Sequence, residues 1–320
     1  LQEFYEEARF NKHKHWCPTV GLHAGIKNEY EYEALKKFKD IEFDVVCFSS
    51  YGRDELLSEH IIIKHLLSQI KHKDETMYFD ALQHHIHHAV SGYYFSNFKE
   101  ALVLVRDGGG EKYNFMEVNS SDYFKYHLET TASFRVNESI YYINQKNIKE
   151  HFKTYVGVYG DNIKKFIFKN YKCPEDVFRK HHADKNIDVR ITDKLRAGTK
   201  YLNYCKEAGF DFHCEGQLMG LAAYKDKETN LDKEVLKIAN KAQEETLEEG
   251  IELVERAMKY NDCKNIILSG GYHLNCANNF KLVKHFPKLN FFVDPIPYDA
   301  GCAVGVVKYY ENYYRQKNSS

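Results

Sequence analysis

No apolar run in this chain approaches the roughly 18 residues a membrane span requires, and no signal-peptide pattern opens it. Net charge is lacking as well. Forty-five basic side chains stand against 46 acidic ones, a formal balance of −1, so no global field announces a nucleic-acid or membrane partner. Eight cysteines occur without a CxxC pair or regular spacing, which excludes a disulfide scaffold and fits reduced thiols. These absences predict a soluble, cytoplasmic protein with no membrane partner. The chain starts at Leu1 and enters directly the charged segment Glu6–Lys12, so an N-terminal piece is expected to precede it. Its 320 residues suffice for a large core, expected as two related lobes.

What is present alternates strand-like and helix-like segments. Val45–Phe48 reads as a buried strand after a helical Glu31–Lys39. Leu56–Lys71 repeats apolar residues at helical spacing, and Met77–Phe79 reads as a short strand before a histidine-rich helix. Ala101–Val105 is strand-like. A long helix is predicted from about Leu231 to Tyr260, then a strand Ile266–Leu268, a glycine turn and another helix. A strand Phe291–Val293 and a final helix from Ala300 close the series. This grammar predicts an α/β protein. The expected boundaries are a first lobe over 1–133, an insertion over 134–190 and a second lobe over 191–320. In the insertion, lysines and arginines from Lys146 to Lys180 interleave with Phe152, Tyr155, Tyr159, Phe166 and other aromatics. Such a run suits phosphate contact plus base stacking, or a small core of its own with solvated lysines, which composition alone favours.

Chemistry concentrates at His84 and His88. At i and i+4 on a helix they share one face and can grip one ion. Four histidines in five positions (His84, His85, His87, His88) is unusual, and Leu82, Ile86 and Val90 supply a separate apolar face. Two imidazoles need one or two further ligands; Asp107 and Asp299, at predicted strand ends, are the candidates. A mixed nitrogen and oxygen site suits iron(II), manganese or zinc better than calcium. Asp107-Gly108-Gly109-Gly110 lets backbone amides approach phosphate oxygens, or is an ordinary hairpin turn. Ser269-Gly270-Gly271, between a strand and a helix, can cradle an anion or nucleotide, with Asn275 placed to reach a ribose or base. Glu215–Tyr224 is dense in small residues and reads mainly as a packed turn and helix start, with Glu215 able to line the nucleotide site.

Taken in order, these segments resemble the O-carbamoyltransferase family that makes carbamate esters on antibiotics and nodulation factors. The resemblance rests on His84–Ser91 (HHxxHAxS), Asp107-Gly108, Glu215–Tyr224 (EGxxMGLAxY), Gly270–Asn279 (GGxxLNCxxN) and Asp299-Ala300-Gly301. It is joined by Leu195–Phe210 and by Arg9–His15, similar to the family's ERFxRxKH element. It implies a two-lobed actin-like, sugar-kinase-like (ASKHA) fold and transfer of a carbamoyl group from carbamoyl-adenylate, itself made from carbamoyl phosphate and ATP. It implies that His84, His88, Asp107 and Asp299 hold a divalent metal, iron(II) ahead of manganese or zinc. It also implies that Asp107, Gly198, Gly271 and Asn275, beside Gly270, touch the donor, and that Lys14 lies near the acceptor.

The expected acceptor is a hydroxyl, a hydroxymethylated pyrimidine in DNA slightly ahead of a small molecule because of the basic aromatic run, with His85, His87 or the family's N-terminal element as base. Where the family continues into a donor-forming domain this chain ends, so that step is expected from another domain or a partner protein. The family's opening hairpin, with its histidine-aspartate element, is expected to precede Leu1, and 134–190 is expected as an insertion relative to the compact members. The rival readings are threonylcarbamoyl transfer to tRNA adenosine and a non-catalytic nucleotide-binding scaffold.

Overall fold

The computed structural model describes residues 32–49, 65–73, 76–78, 83–110, 112–114, 133–157, 186–211, 214–225 and 227–315. Four short strands come first: β1 (Glu42–Phe43), β2 (Val46–Phe48), β3 (Lys71–His72) and β4 (Thr76–Tyr78). They pair in parallel, β1 with β3 and β2 with β4. The next seven are β5 (Glu100–Arg106), β6 (Lys112–Asn114), β7 (Ser133–Asn144), β8 (Ile148–Gly157), β9 (Asp188–Thr192), β10 (Asn265–Ser269) and β11 (Asn290–Val293). They form one mixed sheet in the order β11-β10-β5-β7-β8-β9, with β6 on β7. β11, β10 and β5 run parallel, while β5, β7 and β8 form an antiparallel meander.

Helices cover both faces of this sheet, which is why β5 is apolar without alternation. Leu102 and Leu104 pack toward Leu253, Val254 and Ala257 of the long helix Lys233–Tyr260. Ala101, Val103 and Val105, one residue out of phase, pack toward Ala89 and Val90 of the histidine helix, His84–Ser96. The long helix begins where Asp232 accepts the Glu234 and Val235 N–H groups at 2.8 and 3.3 Å, a side-chain cap that replaces two orphan donors' water partners. The final helix, Gly301–Tyr309, meets the histidine helix backbone to backbone. A Cβ on Gly305 would stand 1.8 Å from the His87 carbonyl oxygen.

Within residues 134–157, β7 and β8 are interior strands of the sheet, with Ile140, Tyr141 and Phe152 in the core, while β9 forms its edge. Alternating basic and aromatic residues there express a two-faced strand, and Lys153, only 1% exposed, pairs with Glu150 at 3.0 Å. Residues 158–185 of the expected insertion lie outside the described residues. The sheet draws on distant parts of the chain, β10 sitting directly beside β5 with Ile266 opposite Leu102. Sequence spacing marks strands but not their partners. The helix expected over Glu31–Lys39 contracts to Glu33–Lys36, and most of Leu56–Lys71 lies outside the described residues.

Candidate functional site

The histidine helix opens with its four imidazoles buried, each at most 2% exposed. Burial strips water from ring nitrogens, so each ring must find a partner. The helical period sends them to different places. His84 and His88, one turn apart, bring their Nε2 atoms to 3.2 Å with the rings edge to face. Asp107, just past β5, puts Oδ2 3.6 Å from His84 Nε2. Asp299, in the turn before the final helix, puts Oδ1 3.6 Å from both Nε2 atoms. One donor atom from each of the four residues lies within 4.8 Å of all the others. Nitrogens bound at about 2.0–2.1 Å to one tetrahedral ion stand ~3.3 Å apart, so the donor set and its spacing fit a divalent ion. The Asp299 side chain is 47% exposed and forms the solvent side of the cluster; the other three are buried.

This cluster is built to hold positive charge. Burial pushes His84 down, but the Cys302 sulfur and the Asp107 and Asp299 carboxylates outweigh it and hold the ring well above its ordinary range. Against the same burial, Cys302 and Asp299 carry His88 to about 10. Burial and the Asp299 charge push Asp107 up, yet His84 and His88 keep it well below the usual carboxylate range. A cation between the imidazoles would replace the protons that otherwise balance these carboxylates.

The glycine turns meet the cluster at Asp107. Its Oδ1 accepts the Gly271 N–H at 3.1 Å and its Oδ2 the Gly109 N–H at 3.3 Å. Gly270 takes φ +91°, and a Cβ there would strike the Arg106 carbonyl oxygen at 2.3 Å, so this turn needs glycine for both conformation and approach. Gly198 lies on the other side, where a Cβ would stand 2.6 Å from Gly108 Cα. Asp107, Gly198, Gly270 and Gly271, separated by up to 164 residues, therefore form one notch.

Asn275 sits at the start of the helix after the second glycine turn. It caps the helix Cys276–His285 by accepting the Asn278 N–H at 3.1 Å, and its amide is tied to Gln243 and Tyr201. His85 Nδ1 meets Ser139 Oγ at 2.7 Å, and its ring edge packs on Gly110. The structure does not bring His87 to the cluster: its Nδ1 meets Ser49 Oγ at 2.6 Å and its ring faces Tyr309. Burial, then the charges of His84 and His88, lower His87 to about 3. Lys14 and the Arg9–His15 element lie outside the described residues.

Three features escaped the sequence reading. Cys302, 4% exposed, places Sγ 3.9 Å from His84 Nδ1; its position just after Asp299-Ala300-Gly301 was the available signal. His273, within the second glycine motif, is buried against Asn279 and lowered to about 3 by burial and then by Arg106. Behind the notch lies a buried ionic network, in which Arg106 reaches Glu138 at 3.2 Å and Glu249 at 3.1 Å and lies 4.0 Å from the Tyr272 ring centre. A charged residue at the end of an apolar strand gave no hint of which acids it would meet.

Among the described residues no helix is long and apolar enough to cross a membrane. The chain is 24% identical to an uncharacterized protein of Synechocystis, over 94% of this chain and 52% of that protein. It is 23% identical to nodulation protein NolNO of Sinorhizobium fredii, over 94% of this chain and 43% of that one. It thus spans about half the length of the curated relatives it matches. A crystal structure of full-length HypF, in a phosphate- and nucleotide-bound form, superposes with a TM-score of 0.45 at 14% identity, covering 84% of this chain and 46% of that chain. That likeness is too loose to carry an argument. The model of the carbamoyltransferase N-terminus matches residues 19–307, nearly the whole chain and all the motifs from His84 to Gly301, and by that match the chain belongs to the carbamoyltransferase family.

Proposed function

We propose that this chain transfers a carbamoyl group from carbamoyl-adenylate to a hydroxyl acceptor, forming a carbamate ester. The supporting observation is the meeting at Asp107 of four converging donor residues and a glycine notch. His84, His88, Asp107 and Asp299 would hold a divalent metal, iron(II) ahead of manganese or zinc. When bound, the metal supplies Lewis-acid stabilisation of charge on the donor's oxygens. The turns at Gly108, Gly198 and Gly270-Gly271 receive the phosphate of the departing AMP. Gly108 faces open space, which leaves the backbone of that turn reachable by the phosphate oxygens, while the close backbone contacts at Gly198 and Gly270 hold the turns together. His85, rather than His87, serves as the base, because it packs on the Asp107–Gly110 turn whereas His87 faces Ser49 and Tyr309.

The meander of β5, β7 and β8 followed by parallel β10 and β11 on the other side of β5 supports one half of an actin-like fold. The donor would be made from carbamoyl phosphate and ATP by a further domain or a partner protein, since the curated relatives run to about twice this length. For the acceptor, a small hydroxylated molecule now stands ahead of a DNA base. The basic aromatic run that favoured DNA is partly core strand, with Lys153 neutralised by Glu150.

Calorimetric titration with a non-hydrolysable carbamoyl-adenylate analogue, with and without divalent metal, tests the reading. Metal-dependent binding is expected, and binding in neither condition would overturn it. For the acceptor, DNA binding that weakens steeply with salt would restore the nucleobase version.

A further inference from the structure

Arg106 and Asp107 are consecutive at the end of β5. Arg196, Ala197 and Gly198 are consecutive where the helix Ala197–Glu207 begins. Two buried carboxylates tie these segments together. Glu138 accepts from Arg106 Nε at 3.2 Å and from Arg196 Nε at 2.6 Å. Glu249 accepts from Arg106 Nη2 at 3.1 Å and from the backbone N–H of Ala197 at 3.0 Å, and its other oxygen meets Lys200 Nζ at 2.7 Å. Ala197 has φ +46°, a left-handed conformation in which an alanine Cβ crowds its own backbone. An alanine stays there only if its surroundings over-determine it. The residue after it is Gly198, whose backbone lies against Gly108. Asn137 braces the same junction, donating to the Asp107 carbonyl and to Thr199 Oγ1, each at 3.2 Å.

We propose that Glu249 is a positioning residue for the donor notch: its carboxylate holds Ala197 left-handed and so sets Gly198 and the helix start against the Asp107-Gly108 turn, where the donor's phosphate sits. The proposal rests on the donor reading above, but its core is the coupling between Glu249 and the Ala197 backbone. Glycine adopts the left-handed conformation without that steric cost. Ala197→Gly should therefore repair what the loss of Glu249 does to the notch, although it adds no contact.

The experiment compares wild type, Glu249→Gln, Glu249→Ala and each of these combined with Ala197→Gly in the full chain. Three measurements are made: affinity for the non-hydrolysable carbamoyl-adenylate analogue, divalent-metal content, and amide hydrogen exchange at residues 198–201. Glu249→Ala should bind the analogue roughly tenfold more weakly, the left-handed cost read as a binding ratio. Glu249→Gln, which keeps an acceptor for the Ala197 N–H but loses the charge that faces Arg106 and Lys200, should weaken binding by a smaller factor. Metal content should be unchanged and exchange at 198–201 faster. Adding Ala197→Gly should recover most of the affinity and the slow exchange. Glu249→Gln keeps an acceptor for the Ala197 N–H and guards against an alanine variant that fails to fold. Unchanged affinity and exchange in both Glu249 variants, or no recovery on adding Ala197→Gly to a folded variant, would overturn the proposal. If wild type does not bind the analogue, the donor reading fails, and the exchange data alone decide whether Glu249 sets the Ala197 backbone.

Discussion

Two charge clusters with buried centres meet at the end of β5, one around Arg106 and one around Asp107. Around Arg106 the charges close on one another. Arg106, Arg190, Arg196 and Lys200 face Glu138, Glu245, Glu249 and Glu252, with Arg196 on Glu138 at 2.6 Å and Arg106 on Glu249 at 3.1 Å. Around Asp107 they stand off, each of the three imidazole–carboxylate distances being 3.6 Å. Closed contacts neutralise charge within the protein, whereas converging but separated donors leave room for something between them. Two adjacent residues on one strand thus serve opposite ends. Arg106 helps hold the sheet to the long helix, and Asp107 helps form a place for a ligand.

The sharpest way to break this contrast is to remove one member from each side. Glu138→Ala leaves Arg106 and Arg196 facing each other without their shared carboxylate. Chemical denaturation should show a loss of about 3–5 kcal/mol; a loss under ~1 kcal/mol would mean the network is not structural. His84→Ala should cost less stability but lower metal affinity by more than the roughly 100-fold that an outer-shell change costs. Metal analysis of the purified variant reads this directly, and unchanged metal content would remove His84 from the ligand set.

Proton competition sharpens the same contrast. With His84 held well above its ordinary range and His88 at about 10, an ion must displace imidazole protons at neutral pH. Metal affinity should therefore rise with pH across the range from 6.5 toward 10, by up to roughly 100-fold per unit if two protons leave. Calorimetry in buffers of different ionisation enthalpy counts those protons, and a count of zero would mean the ion does not sit on these rings.

The smallest expected effect concerns the neutral histidines. His87 and His273 are depressed to about 3, so each favours folding fully above its unfolded value near 6.5 and loses that contribution as pH falls toward 3. Unfolding should become easier by roughly 1 kcal/mol per histidine between pH 7 and 5.5. Denaturation midpoints of wild type and His273→Asn at the two pH values measure it, and identical pH dependence would refute the assignment for His273.

The sequence was legible where local periodicity carries the information. The strands β2, β4, β5, β10 and β11 lie close to where alternation, apolar runs and turn residues put them, and the long helix starts two residues from its expected origin. The i, i+4 spacing placed His84 and His88 together before any partner was known. The ionic network was illegible because Glu138 and Glu249 lie 32 and 143 residues from Arg106, and no local pattern encodes which acids a strand-end arginine meets. The ties of Asn275 to Gln243 and Tyr201 were illegible for the same reason, since those partners come from other helices, whereas its cap on Asn278 is local.

By itself the sequence determined the kinds of donor, their placement on helix faces and at strand ends, and the glycines that let backbone approach closely. All of these follow from periods of 3.6 and 2 and from the presence or absence of a Cβ. Only the tertiary structure decided which donors meet. The register that sets Ile266 beside Leu102 brings Gly271 to Asp107, and the close crossing at Gly305 brings the helix after Asp299 onto the histidine helix. Such pairings depend on contacts between segments far apart in the chain, and those are settled by packing of the whole core rather than by any one stretch of it.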